Sequence, residues 1–136
     1  MIFLKNIACY AGAVLSVLII AFAFLSFYQK SPGAELIRSF GWEINTTPIE
    51  SASLVIPEIF DEIYEDYNLL QTEAGLDLEQ YKGRPAVRYT YEVLNYPDNE
   101  ANVRANVIVV DGKGVAGDIC TVEIGGFMHA LSHHPL

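Results

Sequence analysis

The chain is expected to be an α+β protein. An N-terminal transmembrane helix precedes a small antiparallel sheet of three to five strands, with helices packed on one face. Three observations predict this. Residues 6–29 contain no charge and are dominated by Leu, Ile, Ala, Val and Phe. Residues 57–75 carry apolar side chains at helical spacing. Two later runs, 86–95 and 103–110, alternate with the period of two of a half-buried strand. The expected division is an anchor over 1–30 and an extracytoplasmic domain over 31–136.

As a helix, the 24 uncharged residues from Asn6 to Gln29 span about 36 Å, enough to cross a hydrocarbon core of about 30 Å. Ala21-Phe22-Ala23 resembles a signal cleavage site. Apolar residues nevertheless continue to Tyr28, which favours an uncleaved anchor. Lys5 points to a cytoplasmic N-terminus, against the opposing Lys30.

All 17 acidic residues lie within 31–136, against six basic ones, so the domain carries a net charge near −11. Nucleic acid and anionic lipid surfaces both require clustered Lys and Arg, and neither is expected as a partner. The two cysteines, Cys9 and Cys120, fall in different parts of the chain and form no disulfide framework.

The domain begins with a breaker, Ser31-Pro32-Gly33, and a two-turn helix over 34–40 stopped by Gly41. Trp42-Glu43-Ile44 starts a strand, and Leu54-Val55-Ile56 is a second extended run. Pro57 opens the main helix, where Ile59, Phe60, Ile63, Tyr67 and Leu70 share a face and Gly75 ends it. Asp77 and Gln80 stand at capping-box spacing around a single helical turn. Strands follow at 86–95 and 103–110, a tight turn at Asp111-Gly112, and a third strand at 115–124.

The segments "FGWEI", "IPEIFDEIYEDYN", "YKGRPAVRYTYEVLNYP", "NVRANVIVVDGK" and "GDICTVEIGGFMHAL" together resemble a bacterial domain-of-unknown-function family, numbered 4830. The likeness covers about residues 34–131 and rests on the order and spacing of all five segments. It implies a small α+β domain on an N-terminal anchor or signal in Gram-positive bacteria, with no assigned activity. In "DGKGVAGD" the resemblance leads one to expect a bulkier residue than Gly114, whose smallness is expected to loosen the last strand.

Several residues are candidates for chemistry. In an unbroken strand over 115–124, Asp118, Cys120, Val122 and Ile124 share one face. Cys120 is then a small, inert core residue. The alternative is a thiol-dependent hydrolase with Cys120 as nucleophile, His129 as base and Asp118 as orienting group. Gly125-Gly126 lacks the Lys-Ser/Thr pair of a phosphate loop and is expected to end the sheet. His133 and His134 suit a metal site with His129 only loosely, and a frayed tail is expected. Eight carboxylates between Glu58 and Glu79, and Asp98, Asn99 and Glu100 in one loop, lack the spacing of a calcium loop.

The polar sheet face is the better candidate. Arg88, Thr90, Glu92, Arg104, Asn106, Thr121 and Glu123 are expected to share it, with Leu94, Ile108 and Ile119 interspersed. Arg88, Glu92, Arg104 and Asn106 are the expected ligand-binding residues, suited to a carboxylate or a peptide backbone. The expected function is a non-catalytic binding or regulatory module of the cell envelope, without metal or cofactor, with an envelope protein or peptide as partner. A purely structural envelope subunit is the remaining alternative.

Overall fold

The computed structural model describes residues 2–28 and 31–136, without the side chains of 2–9, 24–28 and Asn99. The expectations placed on Lys5, Cys9, Lys30 and the Asn99 side chain lie outside the described residues. The chain divides into two compact units, 1–30 and 31–136. The first is one helix, α1, Ile2–Tyr28. Its described side chains, 10–23, are all exposed, including Val14, Leu18, Ile19 and Phe22. Among the described residues no helix is long and apolar enough to cross a membrane.

The second unit is a five-stranded antiparallel meander with helices, an α+β architecture. The strands are β1 (Glu50–Val55), β2 (Pro85–Glu92), β3 (Val103–Val110), β4 (Lys113–Thr121) and β5 (Met128–Ala130), hydrogen-bonded in chain order. Helix α2 is Ala34–Ser39 and α3 is Glu62–Glu73. Trp42-Glu43-Ile44 does not form a strand; it contributes one bridge, Ile44 to Val93.

Helices lie on both faces of the sheet, not on one as the sequence pattern suggests. Ala34 and Ile37 of α2 pack with Trp42, Tyr91, Val103, Ala105, Val107 and Ile119. On the opposite face Phe60, Tyr64 and Tyr67 pack with Ile56, Leu78, Ala86, Ile108 and Ala116. The reason lies in β2 and β3. Their odd-numbered residues are uniformly apolar, but Ala86, Ile108 and Val110 make the near end of the even-numbered face apolar as well.

Helix α3 starts five residues later than Pro57 suggests. Asp61 is its N-cap, and its carboxylate accepts the Tyr64 amide at 2.9 Å. Pro57 to Phe60 stays non-helical, which lets Ile56 and Phe60 turn into the core. Ile59 and Ile63, expected inside, are exposed. The one fully buried residue of α3 is polar. Gln71 accepts the Gly117 backbone N–H at 2.8 Å and so ties the helix to β4.

The chain end at His134, expected to fray, is held against the domain. The Trp42 indole donates to the Leu131 carbonyl at 2.7 Å, and His134 stacks on the indole with centroids 4.3 Å apart. The His134 imidazole Nε2 lies 2.7 Å from the Phe40 carbonyl.

The hairpin between β3 and β4 holds the feature that orders the rest. Asp111 and Gly112 both adopt left-handed backbone, at φ 50° and 78°, as a two-residue turn requires. Val110 then pairs with Lys113 and Val109 with Gly114, but Ile108 pairs with Ala116. Val115 is an extra, bulged residue. From there on every residue of β4 faces the side opposite to that of an unbroken strand.

Gly114 does not loosen this strand. A Cβ there would lie 3.0 Å from Leu36 Cβ, 3.1 Å from Val107 Cγ2 and 3.3 Å from the Gly33 carbonyl. The glycine is what lets the start of α2 approach the bulge. Gly114→Val should therefore destabilise the protein by about 1–3 kcal/mol, read as a lower denaturant midpoint at unchanged slope. Equal or greater stability would show that this contact yields freely.

Candidate functional site

The bulge decides which residues of β4 meet the polar face of β2 and β3. Asn106 pairs with Asp118, and Arg104 with Cys120. Asp118 and Cys120 therefore share a face with Arg88, Thr90, Glu92, Arg104 and Asn106. Thr121 and Glu123, expected there, do not join it, and Ile119 is fully buried in the opposite core. Val122 and Ile124, expected inside with Cys120, are 62% and 107% exposed in the loop that links β4 to β5.

A chain of hydrogen bonds crosses this face. The Thr90 hydroxyl donates to Asn106 Oδ1 at 2.7 Å. Asn106 Nδ2 donates to Asp118 Oδ2 at 3.0 Å and reaches the Cys120 Sγ at 3.4 Å. From above, the Tyr67 hydroxyl of α3 donates to Asp118 Oδ1 at 2.7 Å. Asp118 is 2% exposed. Burial raises its carboxyl above the usual carboxylate range, against the bonds from Asn106 and Tyr67 that favour the ion. Burial, then the neighbouring Asp118, push the Tyr67 phenol well up, so it remains a proton donor.

Helix α3 covers only part of this face. Beside it runs a cleft of about 650 Å³. Its helix wall presents Ile63, Tyr64, Asp66, Tyr67 and Leu70. Its sheet wall draws one or two residues from each strand: Leu54, Arg88, Asn106, Ile108, Asp118 and Met128. Apolar walls thus enclose a short polar floor, the composition of small-molecule sites, whose volumes run from about 300 to 1,000 Å³.

Of the four residues expected to bind a ligand, Arg88 and Asn106 line the cleft. Glu92 and Arg104 pair across β2 and β3 one step further along the same face, outside the cleft lining. Arg88 donates to Glu50 at 3.3 Å. Sequence reasoning missed Tyr67, and it put Asp118 on the opposite face, as part of the thiol alternative only. The glycine at 114, between the turn and the last strand, was the available signal of a bulge.

The thiol hydrolase alternative fails on geometry. Cys120 pairs with Met128, and His129 with Ile119, so thiol and imidazole project from opposite faces of the sheet. Nor can Asp118 orient His129. The His129 Nε2 lies 2.9 Å from the Tyr96 hydroxyl, and burial lowers its pKa. Burial, then the neighbouring Asp118, raise the Cys120 thiol, the reverse of what a nucleophile needs.

The fold and cleft define a small α+β domain with a recess of ligand size. The family model for a domain of unknown function (DUF4830) matches residues 36–119, more than half of the chain, and the chain belongs to that family. No curated protein and no solved structure matches it.

Two outcomes follow. Cys120 is half-buried on a polar face, not sealed in an apolar core, and a serine hydroxyl there can keep a bond to Asn106. Cys120→Ser should change stability by no more than about 1 kcal/mol. In a Cys9→Ala background the native thiol should react slowly with iodoacetamide, and rapid labelling would show a thiolate instead.

The second outcome concerns pH. Because the folded carboxyl of Asp118 ionises above its unfolded value, its contribution is present in acid and is lost as pH rises through the raised value. The groups facing it are Tyr67 from α3, Arg88 from β2 and Cys120 from its own strand. Asp118→Asn cannot ionise. Its stability relative to wild type should therefore improve between acid and neutral pH, measured by urea unfolding. A constant difference across that range would place Asp118 in an unperturbed environment.

Proposed function

We propose that residues 31–136 form a non-catalytic binding module that holds a small, largely apolar molecule in the cleft between α3 and the sheet. The observation that carries this reading is the cleft itself, with hydrocarbon on both walls and a hydrogen-bonded polar floor. Arg88 and Asn106 lie in its lining, and Glu92 and Arg104 border it on the same face. An occupied module of this kind regulates or delivers.

The module is held at a membrane, outside the cytoplasm, by residues 6–29. The uncharged sequence of that segment and the exposed apolar side chains of α1 support the tether. An envelope protein that reads the occupied state is the partner this arrangement suits.

The test uses the full chain in lipid nanodiscs, with empty discs as blank. A neutral apolar probe, 4-phenylbutanol, should bind in ligand-observed NMR titrations. Met128→Trp, at an exposed position of the rim, should weaken that binding by filling the cleft. A wild-type protein that ignores the probe would sink the binding reading. Release of the native protein from cell membranes by a high-salt wash would sink the tether.

A further inference from the structure

The polar floor of the cleft contains a carboxylate with no cation bonded to it. Both oxygens of Asp118 accept from neutral donors, Tyr67 and Asn106. Arg88, the one basic residue of the lining, is bonded to Glu50. Asp66 adds a second carboxylate to the lining, from a helix that also carries Glu62, Glu65 and Glu73 and no basic residue.

A buried carboxylate without a counter-charge is costly, and a cation brought beside it relieves that cost. The negative domain as a whole concentrates cations near its clefts. Tyr64 and Tyr67 line the cleft, and aromatic rings attract an ammonium group.

We propose that the cleft binds a small organic ammonium, a primary amine on an apolar body, with its nitrogen at Asp118 and its hydrocarbon along Leu54, Ile63, Leu70 and Ile108. This rests on the reading of the cleft as a ligand site and reverses the charge expected from the arginines of the sheet. The occupant is a small molecule because helix and sheet close the recess on two sides at a volume suited to one. On binding, the ammonium bonds to the carboxylate; any proton then held by Asp118 passes to solvent water, and no other covalent bond changes.

Three probes of equal length separate the possibilities: 4-phenylbutylamine, 4-phenylbutanol and 4-phenylbutyrate. Each is titrated into the full chain in nanodiscs, with empty discs as blank. The amine should bind about tenfold or more tighter than the alcohol, as a charge-assisted hydrogen bond predicts, and the butyrate should bind most weakly. Asp118→Asn should abolish the preference for the amine and leave alcohol binding in place. Equal binding of amine and alcohol would overturn the ammonium proposal and leave the cleft as an apolar site. Tightest binding of the butyrate would overturn it in favour of an anion held by Arg88. An Asp118→Asn protein that keeps the amine preference would remove Asp118 from recognition and overturn it too. If none of the three binds, the ligand-site reading falls and the proposal with it. Should the Asn variant fail to fold, the ranking of the three probes on wild type decides alone.

Discussion

One extra residue in one strand governs this domain. In a sheet, the side chain's face is a matter of parity, and a single bulged residue reverses it for everything downstream. Val115 is that residue. Because of it, Ile119 enters the core beside Ala105 and Tyr91, and Asp118 and Cys120 come to lie against Asn106 and Arg104. Without the bulge the same β4 sequence would bury a carboxylate among valines and expose an isoleucine.

The attachment of α3 follows from that register. Apolar burial alone does not fix the helix, since Leu69 faces outward and Ile63 stands largely exposed on the cleft wall. It is positioned by Gln71 on the Gly117 amide and by Tyr67 on Asp118. Among the described residues no buried side-chain nitrogen or oxygen lacks a partner, so these polar groups are fully accounted for. Directional bonds hold the helix at fixed points instead of letting it settle flat on the sheet. The recess beside it is the consequence. Structure and candidate function therefore share the Tyr67–Asp118 pair.

The opposite face is closed in a different way. There Trp42 is the hub, bonded to Leu131 and flanked by Tyr96 and His134. The chain end completes a core that α2 alone, at six residues, is too short to cover. His129 belongs to this aromatic group, which explains why an imidazole near a thiol in sequence takes no part in the chemistry of the other face.

Much of the fold was legible in the order of residues. Periods of two and 3.6, the breaker before Ala34, the cap position of Asp77 and the Asp111-Gly112 turn all depend on neighbours within a few positions. These local terms determined the α+β class, the hairpin and the existence of α3. Its start was misjudged because Pro57 and Asp61 both open helices, and only burial of Ile56 and Phe60 chooses between them. The candidate site was half legible: Arg88 and Asn106 share a parity that the sequence displays. The placement of Asp118 was not, because a bulge costs little locally and is selected by what the whole strand then buries. Which face each residue of β4 serves, and how closely α3 covers it, are decided by pairing between segments far apart in the chain. That pairing is a property of the tertiary structure alone.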